Sequence, residues 1–290
     1  MHWTIYIFGS GLAFFVAVAL LLLAVIPSIA GSSRTRLRIL SAIVGAIFLA
    51  VSAAPLSLFW YVATSISLLF WLATLGSRSA KWQCAHAIVA TLTLIMLVAG
   101  IGKELKFRSP PRLKQASSRH VDLFGDSLAA GISDGLDSPW PELLASGHDL
   151  ELVNHATPGA KLATAIAKAR QTHLADGLVL VEIGGNDLLD GVSVREFERD
   201  LDELLSIVSG SGRQVVMFEL PLPPLHNGFG LAQRRQAAKH GAQLIPNRVL
   251  MGVLATDGAT IDSLHLTPAG HQQLADAIWK ELEPAYDDQP

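Results

Sequence analysis

The chain has 290 residues, 50% of them hydrophobic and only 16% charged, and a single cysteine, Cys84. One cysteine excludes an intrachain disulfide, and the ten histidines show no ligand spacing, so neither a metal nor any other cofactor is expected. The charge is split: residues 1–118 carry ten Lys/Arg and one acid (Glu104), whereas residues 119–290 carry twelve Lys/Arg and twenty-four Asp/Glu, which argues for two modules and against nucleic acid as a partner of the second.

The first module reads as membrane-embedded. Residues 3–33 contain no Asp, Glu, Lys or Arg. About 20 apolar residues cross a bilayer core, so residues 5–26 predict one transmembrane helix. Residues 39–77 are again free of these charges. As one helix they would run roughly 58 Å, nearly twice the hydrocarbon thickness. Pro55 lies near the middle, so a hairpin of two spans, 37–54 and 57–75, is expected. A fourth span covers 85–102, and the Pro-, Ser- and Lys/Arg-rich residues 103–118 have the composition of a basic linker. Arg34, Arg36 and Arg38 follow the first span and Arg78 and Lys81 the third, whereas Lys103, Lys106, Arg108, Arg112 and Lys114 follow the fourth. That count ties. The first helix usually dominates orientation, which sends the N-terminus and the second module outside the cytoplasm, as for a multi-pass protein of a bacterial inner membrane with a periplasmic domain.

The second module, 119–290, alternates strand and helix. Strands are predicted at 121–124, 150–154, 178–183, 214–220 and 242–245. Helices are predicted at 140–145, 160–170, 194–209, 231–240 and 268–282, the last with Thr267 as N-cap and Pro268 in its first turn. The uninterrupted apolar run at 178–183 suits a strand covered on both faces. This order predicts an α/β class, a three-layer α/β/α flavodoxin-like parallel sheet, with ligands at the carboxyl ends of its strands.

Chemistry-bearing residues fall at those ends. Gly125-Asp126-Ser127-Leu128 follows the first strand, and Asp262-Ser263-Leu264-His265 comes near the end. Nucleophilic hydrolysis needs an attacking hydroxyl, a base to take its proton and a group to orient the base, which Ser127, His265 and Asp262 can supply. Ser127 can equally cap a helix, and the Asp262–His265 pair can be a solvated turn. Asp126, Asn154 and Asp187 suit structural hydrogen bonding, His271 suits packing, and His155 is open to either role. A Gly-x-Ser-x-Gly elbow is absent, which argues against an α/β-hydrolase.

Four motifs in order over 119–285 resemble those of the SGNH (GDSL) hydrolase family: Gly125-Asp126-Ser127-Leu128, Asn154 with Gly159, Gly184-Gly185-Asn186-Asp187, and Asp262-Ser263-Leu264-His265. Trp140-Pro141 and Val181-Glu182-Ile183-Gly184 are similar to its thioesterase/lysophospholipase/arylesterase branch. The resemblance implies Ser127, Asp262 and His265 as the triad, and Ser127, Gly159 and Asn186 as the oxyanion hole, with no cofactor. Glycine at 159 is expected to spare an approaching substrate a side chain. Leu222, Leu225 and Phe229, on an expected loop after the fourth strand, are candidates for an acyl or leaving-group pocket. The expected partners are an ester, lipid or acylated glycan, and the membrane. The expected activity is a serine esterase or acyl hydrolase. An acyltransferase or deacetylase on an envelope polysaccharide, or a silent envelope-assembly protein, is the alternative.

Overall fold

The computed structural model describes residues 2–29, 35–77, 79–131, 138–262 and 265–287. Arg34 and Arg78 of the charge count, and Ser263 and Leu264 of the last motif, lie outside them. Five helices come first: α1 (Trp3–Gly9), α2 (Leu12–Ile29), α3 (Thr35–Val51), α4 (Leu58–Thr74) and α5 (Ala80–Lys106). The chain forms two compact units, one of Gly11–Arg108 with Leu222–Asn227, the other of Met1–Ser10, Ser109–Pro221 and Gly228–Pro290.

In the helical unit Phe14, Leu21, Trp60, Trp71 and Leu97 fill a core, yet many other large apolar side chains point outward. Leu37, Leu40, Ile43 and Ile47 form an exposed stripe on α3, and Ile88, Leu92, Ile95 and Val98 form another on α5. Small and hydroxyl residues point inward. A Cβ on Gly45 would meet Leu21 Cγ at 2.9 Å, and one on Gly100 would meet Trp60 Cζ2 at 2.6 Å. Buried Thr93 pairs its hydroxyl with that of Ser67 at 2.6 Å, and Trp60 Nε1 donates to Met96 O at 3.1 Å. Close approach over small residues with hydroxyl pairs is how helices pack where no water drives them together.

The predicted spans need correction. The first does not run 5–26: it breaks at Ser10-Gly11, where Gly11 has φ +74°, and α1 packs on the other unit's core, His2 N–H donating to Ala255 O at 2.8 Å. The segments expected as a hairpin of two spans form α3 and α4, the latter capped by Ser57, which accepts from Trp60 N–H at 3.3 Å. Among the described residues only Ala80–Lys106 is by itself long and apolar enough to cross a membrane. Trp3–Gly9 with Leu12–Pro27 qualify only as a bent pair, and Leu58–Thr74 is apolar but shorter.

The second unit holds five parallel strands, β1 (His120–Gly125), β2 (Glu151–Asn154), β3 (Gly177–Glu182), β4 (Arg213–Phe218) and β5 (Gln243–Ile245), in the order β2-β1-β3-β4-β5. That order is the flavodoxin-like doubly wound arrangement. Its helices are α6 (Ser127–Ala130), α7 (Trp140–His148), α8 (Leu162–Gln171), α9 (Gly185–Leu189), α10 (Val194–Val208), α11 (Asn227–His240), α12 (Asn247–Leu254) and α13 (Pro268–Leu282). The step from β1 to β2 runs one way along the sheet and the step from β2 to β3 the other. Right-handed crossovers therefore place α7 and α8 on opposite faces. α7 packs with α13 and α8 with α10. On α10, Phe197, Leu201, Leu204, Leu205 and Val208 are buried at helical spacing, so this face is driven onto the sheet by apolar burial of ~25 cal/mol per Å². Ser193 caps the helix, accepting from Glu196 N–H at 3.2 Å.

The segment expected to be a linker is partly ordered. Lys103–Lys106 complete α5, and Ser109–Ser118 run along the amino ends of the strands. Arg112 N–H donates to Gln243 Oε1 at 3.2 Å, and Lys114 N–H to Gln214 Oε1 at 2.7 Å. Two helices, α9 and α12, were not expected: each is short and follows a strand within two or three residues.

Candidate active site

β1 pairs with β3 so that Gly125 lies opposite Glu182. A Cβ on Gly125 would meet Ala129 Cβ at 2.7 Å and Glu182 Oε2 at 3.0 Å, so only glycine permits this approach. Asp126 then leaves the strand and caps α6, its Oδ1 accepting from Leu128 N–H at 3.0 Å. Ser127 is the first residue of that helix and is half-buried.

Beyond β2, Asn154 Nδ2 donates to Ala129 O at 3.0 Å, and His155 N–H and Thr157 N–H continue the pairing with β1, donating to Leu123 O and Gly125 O at 2.8 and 3.2 Å. Thr157–Ala160 close a turn in which Ala160 N–H donates to Thr157 O at 3.0 Å. Pro158 stands at its second position and Gly159, with φ +73°, at its third, the signature of a type II turn. A Cβ on Gly159 would meet no protein atom within 4 Å, so within the protein it is the backbone conformation that calls for glycine. Gly159 N–H and Ser127 N–H have no acceptor among the described residues.

Asn186, in α9, has both amide hydrogens engaged. Nδ2 donates to Ala160 O at 3.0 Å and to Asp126 Oδ2 at 3.3 Å. Asp187 accepts from Leu162 N–H at 3.1 Å. Asp262 receives both the backbone N–H of His265, at 2.8 Å, and its ring Nδ1–H, at 2.6 Å. A carboxylate only accepts, so Nδ1 carries the proton and Nε2 is left with its lone pair. The loop bearing the pair is closed at its neck by the Thr260–Leu266 bridge, and Ile261 N–H donates to His265 O at 2.8 Å.

Three carboxyls lie under these groups. Burial pushes Glu182 well above the ordinary carboxylate range, and the charge of Asp126 adds to it. Burial also raises Asp126, against the Leu128 N–H and His265, which lower it, and it raises Asp187. Sequence reasoning gave Glu182 no role, although an acid inside an apolar strand run was a signal. It also left open the His155–Asp122 pair, 2.8 Å apart. His271 is buried and structural, its Nδ1 accepting from Trp140 N–H at 3.2 Å. Of the expected pocket residues, Leu222 is buried and Leu225 exposed, both in the segment grouped with the helical unit. Phe229 is not on a loop: it lies in α11 and packs edge-on against Phe197, with ring centres 4.9 Å apart.

A parallel sheet with Ser127 opening the helix after β1, and a histidine held by a carboxylate before α13, is the arrangement of a hydrolase of the α/β class. The sequence pattern of the GDSL-like lipase/acylhydrolase family matches residues 123–273, and the chain belongs to that family. It is 29% identical over 181 residues to an arylesterase of Vibrio mimicus, covering 58% of this chain and 90% of that protein. It is 26% identical over 184 residues to esterase TesA of Pseudomonas aeruginosa, covering 59% and 91%. The esterase EstA of a Pseudoalteromonas species, solved as a monoethylphosphonate-inhibited crystal, has the same fold, with a TM-score of 0.52 at 20% identity over 57% of this chain and 97% of that one. The chain is a serine hydrolase acting on ester bonds.

Proposed function

We propose that Ser127 is the nucleophile, His265 the base, Asp262 its orienting group, and Ser127 N–H, Gly159 N–H and the Asn186 amide the oxyanion donors. The observation that carries this reading is the Asp262–His265 pair, in which the carboxylate holds ring Nδ1 at 2.6 Å and so orients Nε2 for the base's part. Ser127 Oγ attacks the ester carbonyl as His265 Nε2 takes its proton. The tetrahedral oxyanion is held by the donors, each worth ~3–4 kcal/mol. Collapse expels the alcohol, which takes the proton from His265. Water activated by His265 then releases the acid.

The helical unit, in this reading, anchors the enzyme in a membrane through several spans, with the second unit on the extracytoplasmic side. Support comes from the exposed apolar stripes on α3 and α5 and from the close helix approaches at Gly45 and Gly100. The substrate class is then an ester of the envelope, a lipid or an acylated glycan.

Hydrolysis of aryl esters of increasing chain length, wild type beside Ser127→Ala, tests the chemistry. Loss of both turnover and fluorophosphonate labelling in the variant is expected, and equal rates would refute it. Retention in the membrane pellet after alkaline carbonate extraction tests the anchor; release into the supernatant removes it.

A further inference from the structure

Thr157 and Ala160, the ends of the turn carrying Gly159, line a cavity of about 220 Å³ together with Gly125, His155, Thr164 and Lys168, among others. The turn is held at its ends by hydrogen bonds, Thr157 N–H to Gly125 O and Asn186 Nδ2 to Ala160 O. A further tether starts four residues upstream of Gly159. The His155 ring lies in a stack on Phe124, ring centres 4.9 Å apart and planes 24° off parallel. Its Nε2 is 2.8 Å from Asp122 Oδ1. Asp122 is itself 2% exposed and also holds His120 Nε2 at 3.2 Å. Burial alone would raise the Asp122 carboxyl, but hydrogen bonds and charge from His155 and His120 outweigh it and hold it below its ordinary value. An ionised Asp122 only accepts, so Nε2 of His155 donates.

We propose that His155, locked onto the buried Asp122, is a positioning residue for the oxyanion turn, fixing the direction of the Gly159 N–H. This rests on the oxyanion role of Gly159 proposed above. A donor aimed at developing charge loses its effect when it swings away, and a misplacement of ~1 Å can cost about 10²-fold in rate. A charge-assisted bond to a buried partner at the root of the loop restrains that swing.

The test uses a matched pair in the full-length protein in detergent. Gln places its amide nitrogen near the position of Nε2 and reaches Asp122; Asn is too short to. His155→Asn should lower kcat at least tenfold with KM within twofold, and slow phosphonylation of Ser127 in parallel, because that reaction also develops charge on the phosphoryl oxygen. His155→Gln should return kcat to within threefold of wild type. His148→Ala, which removes a stack on Trp279 with ring centres 3.8 Å apart at the end of α7, is the control. It should lower thermal stability and leave kcat unchanged. Wild-type kcat in His155→Asn, a loss confined to KM, or equal slowing in the Gln and Asn variants at equal melting temperature would overturn the proposal. Undiminished activity in Ser127→Ala would instead sink the site on which it rests.

Discussion

Replacing Gly159 by alanine separates the backbone requirement from the steric one. The added Cβ meets nothing within 4 Å, so no clash arises. The cost is conformational: an L-residue at φ +73° is strained by about 1–2 kcal/mol. The turn has a way to relieve it. Pro158 suits the second position of type I and type II turns alike, and the two differ by a flip of the peptide joining their second and third residues. That peptide carries the Gly159 N–H. Relief of strain therefore turns the donor away from the oxyanion, and one lost donor is worth 10²–10³ in kcat. Gly159→Ala should thus lower kcat by about two orders of magnitude or more while costing at most about 2 kcal/mol of stability, a few degrees in Tm for a unit of this size. Gly159→Asn, which tolerates the left-handed region, should fall between alanine and wild type. Steady-state hydrolysis of a short aryl ester, with melting followed by near-ultraviolet circular dichroism, reads both. Alanine and asparagine variants of equal kcat, or an alanine variant within threefold of wild type, would refute the reasoning.

Asp262→Asn should lower kcat by about 10²–10⁴, since an amide facing Nδ1 stabilises the tautomer whose Nε2 already carries hydrogen; a variant within fivefold of wild type would contradict the proposed triad. Glu182 holds its proton in the folded state at pH values where the unfolded side chain has lost it, so folding takes up a proton there and stability falls as pH rises above the ordinary Glu value toward the raised one. Glu182→Gln keeps the carbonyl acceptor and removes the titration. Its melting temperature relative to wild type should climb as pH rises above the ordinary Glu range, and a difference independent of pH would show that Glu182 is not raised. In the helical unit, Gly100→Ala drives a Cβ to 2.6 Å from Trp60 Cζ2, whereas Gly102→Ala, on the same helix, meets nothing within 4 Å. The first should cost about 1–3 kcal/mol and the second nothing, measured as melting in detergent; equal shifts would mean that the Gly100 contact is not tight.

The sheet was legible because each strand is an apolar run ending in Gly, Asn or Pro, and the helices between them carry 3.6-residue periodicity. Short helices escaped because α9 and α12 offer at most two turns, too few for a period. The first predicted span failed at Gly11: hydropathy is blind to a single positive φ, and α1 continues the apolar run while its Gly9 sits against Met251 of α12. Phe229 failed differently. Pro221–Pro224 marks a loop, but Asn227 opens a helix, so Phe229 is turned onto Phe197. Motif order put Ser127, Gly159 and Asn186 after the first three strands, where β1, β2 and β3 end, and Asp262 with His265 in the loop before the last long helix. What the motifs could not give is the layer beneath. A carboxyl such as Glu182 or Asp122 takes its character from burial and from partners far apart in sequence.

That layer bears directly on the proposed chemistry. An oxyanion cannot be stabilised beside fully charged carboxylates: one negative charge about 5 Å away at an effective dielectric near 20 costs roughly 3 kcal/mol, as much as one donor gives. Asp126, Glu182 and Asp187 crowd the strand ends, and all three are pushed toward their neutral forms by burial. The same displacement bears on Asn186, which must release a hydrogen before it can serve the substrate. Its bond to Ala160 O, 3.0 Å long, pins the oxyanion turn and is best kept. Its bond to Asp126 Oδ2, at 3.3 Å, is the longer one, and it weakens further as the Asp126 carboxyl approaches neutrality. In the proposed mechanism two donors are fixed by turn and helix geometry, and the third is delivered when a carbonyl oxygen displaces Asp126. Burial, by raising all three acids, lessens the negative charge they would set against that oxyanion.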